Sequence, residues 1–236
     1  MPRVKGGGDR PTTVGDARKL GLLPSVTTIL RVLNAPALNA WKIEQAVLSV
    51  LTAPRLENET TDDFVARVMA TEMDEEAKVA RQLGTDIHDA ISTALGPNGP
   101  VPEHLAPYVL PVLAFLNDYG RVSVVEQVVI GDGYAGRVDC ITTSQSITVW
   151  DFKSAKKLPP ESWTEHRLQL AAYAKTLGNV GDTMIRTGNI YISTTEPGKI
   201  AVHLHDDWPF TFVSGFKPLL EYWRWVNKFT TSETPT

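Results

Sequence analysis

Apolar positions along the chain change their period once. Up to about residue 120 they recur every three or four positions, and beyond it they alternate with polar ones in short runs. The first spacing lines one stripe of a helix; the second lines one face of a strand. "LPSVTTILRVLNA" opens the ordered part, with Pro24-Ser25 placed to cap a helix. "ALNAWKIEQAVLSVL" predicts a second helix ending near Pro54, and Thr61 to Leu95 a long third one that Gly84 is expected to break. "EHLAPYVLPVLAFLNDYG" is helical again, with Pro111 expected to kink or restart it. Strands are predicted at 122–130, 134–143 and 146–154, the last two joined by a tight turn near Ser144-Gln145. "PPESWTEHRLQLAAYAKTLG" then predicts a helix with proline before its start and Gly178 at its end. "IRTGNIYIST" and "KIAVHLH" form a second strand pair around "TEPGK", and "FTFVSGFKPLLEYWRWVNKF" closes as a helix.

Helices, three strands, helix, two strands, helix is the order of an α/β or α+β chain, a sheet with helices packed on it. There is no internal repeat. The expected organisation is a flexible tail over 1–21, one domain over 22–229 with a helical part to 120 and a sheet core from 121, and a second tail over 230–236. A chain of 236 residues with 42% apolar and 21% charged positions has room for a sizeable core. No run of 18 apolar residues exists, so no membrane helix is expected. "MPRVKGGGDRPTTVG" has no apolar centre and does not read as a secretory signal. A cytoplasmic location is the expectation.

Charge and cysteine usage narrow the chemistry. The net charge of −4 does not fit a general DNA coater, but a metal-binding acidic centre can sit inside a locally basic cleft. The single cysteine, Cys140, allows no internal disulfide and no iron–sulfur cluster, and inside an apolar strand it reads as a small buried hydrophobe. No "GxxxxGK[ST]" occurs, so no nucleotide is expected.

Against this background "GYAGRVDCITTSQSITVWDFKSAKK" is out of character. Asp139 and Asp151 stand where a strand would otherwise carry Val or Ile. Strand alternation puts Asp151 and Lys153 on one face and Phe152 on the other, and pairs Arg137 with Asp139. A short turn between the strands would bring the two acids to neighbouring positions. Two buried carboxylates repel, and a cation between them resolves the repulsion; an all-oxygen set favours Mg²⁺ or Mn²⁺. A lysine beside such a cation can hold or help deprotonate an attacking water and stabilise charge on phosphorus. The Asp-x-Lys alone also fits an exposed ion pair on a strand face. Other positions carry both a site role and a structural one. His88 lies on a helix among apolar neighbours, Glu126 sits in "VVEQVV", and Gln169 and Tyr173 share a helix face. Ser25, Thr27 and Thr28 can cap a helix or meet a DNA phosphate. Lys156, Lys157 and Arg167 can track a phosphodiester backbone or simply be solvated, Arg137 is a further candidate to bind that backbone, and Trp163 can stack on a base or fill the core.

"GRVD" followed at a strand's distance by "DFK" resembles the PD-(D/E)XK nuclease superfamily. "GTDIHDAI" resembles the Gly-x-x-x-His helix motif of its RecB-type exonuclease branch, and "QLAAYA" that branch's Gln-x-x-x-Tyr motif. "LPSVTTIL" resembles the N-terminal motif of phage exonucleases and of the mitochondrial genome maintenance exonuclease. The resemblance covers roughly residues 22 to 205, with the motifs in the expected order. It implies a restriction-endonuclease-like α/β fold, a central mixed β-sheet flanked by helices with a helical N-terminal portion. It implies Asp139 and Asp151 as metal-binding acids, Lys153 as the catalytic lysine, and His88 as a residue that ligates or flanks the metal. The backbone carbonyl of Phe152 is a further implied ligand, and Glu126 matches a glutamate often found on the preceding strand. Gln169 and Tyr173 match the motif that positions the active site and the DNA backbone. Val138 stands where the superfamily's name has Pro, a minor departure. The function implied is a Mg²⁺- or Mn²⁺-dependent DNA nuclease, an exonuclease on single-stranded DNA or DNA ends in phage-type replication, recombination or repair, with replication or recombination proteins as partners. A flap or junction endonuclease of the same fold and a non-cleaving nuclease-like binding module are the rivals; the complete Asp–Asp–Lys set argues against the second. A structural ion-pair cluster in an unrelated enzyme is a further rival, which a metal titration without binding would favour.

Overall fold

The computed structural model describes residues 14–33, 36–96, 99–178 and 180–229. The predicted tails over residues 1–13 and 230–236 lie outside the described residues. By contacts the chain divides into two compact units, one gathering the described residues up to Leu33 with those from Ala90 onward, the other those between 34 and 89.

The smaller unit is helical. Helix α3 spans Pro36–Thr52 and helix α4 Thr61–Leu95, crossing the boundary at Ala90. Their connection is tied down by Arg67, which donates to Glu59 Oε1 at 2.7 Å and to the Pro54 carbonyl at 2.9 Å. The guanidinium groups of Arg55 and Arg67 cover the ring of buried Phe64. Helix α4 runs unbroken through Gly84, against expectation. A helix-interior glycine costs only about 1 kcal/mol relative to alanine, which 35 helical residues absorb.

The larger unit is built on one five-stranded mixed sheet, in order β1-β2-β3-β4-β5: Arg121–Gly131, Tyr134–Thr143, Ser146–Ala155, Met184–Ser193 and Ile200–His205. All neighbours are antiparallel except β3 and β4, which run parallel and are joined through helix α6, Thr164–Thr176. The chain is therefore α/β, a central mixed sheet flanked by helices with helices in its N-terminal portion, as the resemblance implies; the hydrophobic pattern alone left α/β and α+β open. The β1–β2 hairpin closes on Asp132-Gly133, and Gly133 takes the positive φ of 77° that such a two-residue turn needs.

One sheet face carries α6 with the short helix α2, Val26–Leu30, and the C-terminal helix α8, Lys217–Val226. Residues Leu168 to Ala174 of α6 are all buried, and its alanines let the helix lie close against the strands. Helix α5, Ala106–Tyr119, buries Val109, Val112 and Leu116, while Phe115 and Tyr119 meet the Trp150 ring edge-on, at 5.4 and 4.8 Å between centroids. Each such buried side chain contributes about 1.5–3 kcal/mol, enough for α5 to continue through Pro111 despite the missing backbone donor. Helix α1, Val14–Leu20, occupies part of the stretch expected to be a tail. Asp16 suits its N-terminal turn, Ala17 joins the core, and Gly21 follows with φ 64°. The closing helix is interrupted: α7, Trp208–Thr211, passes through a π-helical turn, Phe212–Phe216, into α8. Among the described residues no helix is long and apolar enough to cross a membrane.

Candidate active site

The β2–β3 hairpin pairs regularly from Thr143↔Ile147 up to Cys140↔Trp150 and stops there. Counting one step further, Asp139 and Asp151 face each other across the gap. Backbone pairing does not continue because the Asp139 side chain has taken its place: Oδ2 accepts from the Phe152 N–H at 2.8 Å. Both acids are buried, Asp151 completely. The same extended backbone that turns Phe152 into the core sets Lys153 on the face of Asp151, and Lys153 Nζ donates to Asp151 Oδ1 at 2.6 Å. Burial alone would lower the lysine's pKa, but the carboxylates of Asp151 and Asp139 outweigh it and the net direction is upward. Lys153 is therefore an ammonium group at neutral pH.

Glu126 reaches this end of the sheet from β1. The β1–β2 ladder pairs Val125 with Cys140 and Gln127 with Val138, so Glu126 falls opposite Asp139. Its φ is +53°, a left-handed conformation that costs a non-glycine residue about 1–3 kcal/mol and that collects at functional sites. Its carboxylate has an oxygen within 4.8 Å of one on Asp139, and Arg137 Nε pairs with its Oε2 at 2.8 Å. Arg137 thus serves Glu126. The carboxylates of Glu126, Asp139 and Asp151, from three successive strands, make an oxygen set that fits a hard divalent cation such as Mg²⁺ or Mn²⁺.

Helix α6 contributes Gln169 and Tyr173, one turn apart and bonded to each other, Gln169 Nε2 donating to Tyr173 Oη at 2.9 Å. Burial pushes the Tyr173 hydroxyl up to about 12, so it keeps its proton and remains a donor. The ring lies directly over Gly136: a Cβ there would stand 2.2 Å from Tyr173 Cε1. Gly136→Ala is expected to push Tyr173 out of place, destabilising the protein by about 1–3 kcal/mol and weakening any activity that needs the Gln169–Tyr173 pair. Urea denaturation alongside an activity assay checks this, and an unchanged midpoint contradicts the packing argument.

Some of the other candidates have structural partners. Ser25 caps α2, its Oγ accepting from Thr28 N at 3.1 Å and lying 3.0 and 2.8 Å from the hydroxyls of Thr27 and Thr28. Arg167 donates to Asp207 at 2.6 Å. Lys156 and Lys157 are exposed in the loop after β3, and Trp163, half exposed, rests on the rings of His166 and Tyr191. His88 lies half-buried near the end of α4, one residue inside the smaller unit's boundary. Sequence reading missed two neighbours of the centre. Asn189 on β4 donates to Asp151 Oδ2 at 2.9 Å, and His166 on α6 bonds Tyr191 Oη through Nδ1 at 2.8 Å. The cue for the first was present: a polar residue inside the apolar run "GNIYI", as for the two aspartates. His166 precedes Gln169 by three positions, the same helix face.

No protein-family model matches the chain, and no curated protein matches it. Among solved structures it is similar to an alkaline exonuclease, LHK-Exo from Laribacter hongkongensis, at 10% identity and a TM-score of 0.43, over 90% of this chain and 92% of that one. It is also similar to a protein designated SSO0001, at 14% identity and a TM-score of 0.36, over 84% and 88% of the two chains.

Proposed function

We propose that this chain is a divalent-metal-dependent DNA nuclease, an exonuclease that hydrolyses phosphodiester bonds in single-stranded DNA or from DNA ends. The observation that carries the reading is the end of the β2–β3 hairpin, where buried Asp139 and Asp151 meet with Lys153 bonded to Asp151. Nothing in the packing of a sheet calls for two acids and an ammonium group there. Asp139, Asp151 and Glu126, with His88 and the Phe152 carbonyl from the sequence resemblance, would hold Mg²⁺ or Mn²⁺. Bound there, the cation would polarise the scissile phosphate and acidify a water. Lys153 Nζ, charged at neutral pH, holds the attacking water and donates toward the phosphate oxygens as negative charge builds on them. Tyr173 Oη, still protonated, is a second donor, kept in place by Gln169. Lys156 and Lys157, exposed just beyond the lysine strand, would meet the DNA backbone.

A 5′-labelled single-stranded oligomer incubated with Mn²⁺ or Mg²⁺ should be degraded to a ladder, and EDTA should abolish the products. A circular single strand should stay intact. Cutting of the circle would make the enzyme an endonuclease. No cleavage of linear, duplex or flap DNA with either metal would overturn the reading and leave a nuclease-like binding module.

A further inference from the structure

Asp151 is gripped from a side that the proposed chemistry does not use. Asn189 is its direct neighbour in the parallel β3–β4 register, and both are completely buried. A carboxylate only accepts, so the amide must present Nδ2 to it, as the 2.9 Å bond to Asp151 Oδ2 records. That orientation turns Asn189 Oδ1 away from the acid and leaves it needing a donor. His205 on β5 supplies one: its Nε2 lies 3.3 Å from Asn189 Oδ1 and 3.0 Å from Ser162 Oγ. Oδ1 cannot donate, so the contact is a hydrogen bond in the tautomer that carries the imidazole proton on Nε2, with Ser162 Oγ as a second acceptor beside it. Were it on Nδ1, two lone pairs would face each other and the amide would be held from the Asp151 side alone. The result is a directional chain across three strands, imidazole to amide to carboxylate.

We propose that Asn189 is a positioning residue for the metal-binding acid, and that His205 sets its orientation. The pair fixes the plane of the Asp151 carboxylate from behind and so tunes the affinity of the site for its divalent cation. The inference rests on the metal role proposed for Asp151. Hydrogen bonds behind metal-binding side chains commonly govern affinity by about 10–100-fold, and buried Asn189 has the geometry for such a bond.

The test is Mn²⁺ binding to the full-length chain, followed by the electron paramagnetic resonance signal of free Mn²⁺, with metal-free thermal melts and DNA cleavage measured alongside. The component of binding that Asp139→Asn removes defines the site. Asn189→Leu, similar in size and unable to hydrogen-bond, is expected to weaken that component by about 10-fold or more. Cleavage should then require correspondingly more Mn²⁺. His205→Leu should weaken it in the same direction, whereas His205→Gln, whose amide N–H can occupy the place of Nε2–H, should retain it. Should Asn189→Leu fail to fold, the His205 pair alone decides. The proposal is overturned if Asn189→Leu and His205→Leu bind Mn²⁺ as the wild type does while their metal-free melting temperatures fall, because the chain of bonds would then be purely structural. It also falls if His205→Gln weakens binding as much as His205→Leu. Absence of any Asp139-dependent Mn²⁺ binding in the wild type overturns the metal reading itself, so the two failures are distinguishable.

Discussion

Replacing Lys153 by methionine is expected to lower DNA cleavage by about 10²–10³-fold, the loss typical of one preorganised charge-stabilising donor. The same change should destabilise the metal-free protein by about 3–5 kcal/mol, the cost of leaving a buried charge without its partner. Methionine keeps most of the aliphatic volume, so packing is largely preserved and the charge alone is lost. What remains is Asp151, with no exposed surface, still bonded to Asn189 but deprived of the ammonium group 2.6 Å away. The lysine side chain is only 25% exposed, so solvent screens the pair weakly. Two controls separate the electrostatic account from a packing defect. Asp151→Asn in the Lys153→Met background should return much of the lost stability, since it removes the orphaned charge. Saturating Mn²⁺ should stabilise the single variant more than it stabilises the wild type, because a cation at the site replaces the missing charge. Urea denaturation with and without Mn²⁺ measures both. A Lys153→Met protein as stable as the wild type would show that Asp151 does not depend on the lysine for its burial.

The elements that were legible in the sequence are those where local pattern and packing agree. The strand at 134–143 has the predicted bounds because its hydrophobic and turn signals coincide. Helix α6 ends at Gly178 in the left-handed conformation, as its sequence announces. Gly84 and Pro111 misled because both are read as breakers from local cost alone. Length offsets the glycine, and the burial of Val109, Val112 and Leu116 offsets the proline. The π-helical turn at Phe212–Phe216 has no signature in a one-dimensional pattern. Around the candidate site, the union of Asp151 with Lys153 follows from strand alternation. The grip of Asp139 on the Phe152 N–H depends on the exact step at which pairing stops, and that is a property of the folded hairpin. Asn189 carried a cue, a polar residue in an apolar run, but its partner could not be read: the bond to Asp151 exists only through the parallel register of β3 and β4, whose strands lie 38 residues apart there.

Lowering the pH from 7.5 to 5 should weaken the protein through two half-buried histidines. His166 is pushed down to about 3, by burial first and by the charge of Lys153 second; His205 is pushed down to about 4, by burial first and then by Arg167. In both cases the folded state refuses a proton that the unfolded chain accepts near its ordinary value of 6.5. Between that value and the depressed one the unfolded state binds more protons, so stability rises with pH there and is lost as pH falls below about 6.5. At pH 5 each histidine costs the folded state about 2 kcal/mol relative to pH 7.5, and the figure is insensitive to how far below 4.5 the depressed value lies. Asp206 and Glu59, whose pKa values are lowered chiefly by Arg186 and Arg67, contribute stability that is lost only as pH falls further, toward the carboxylate range. The window from 7.5 to 5 therefore separates these two histidines from Asp206 and Glu59. Urea denaturation in metal-free buffer should show a loss of about 4 kcal/mol across it for the wild type, and about half that for either His205→Gln or His166→Asn, which cannot titrate. The Asn189–His205 bond gives this loss a structural meaning: a doubly protonated His205 would carry a charge in a half-buried setting beside Arg167, a cost that outweighs the attraction of Asp207 and Asp206 and that would loosen β5 from β4. Equal stability at the two pH values would mean that both rings take up protons in place, and that the buried network behind Asp151 is open to water.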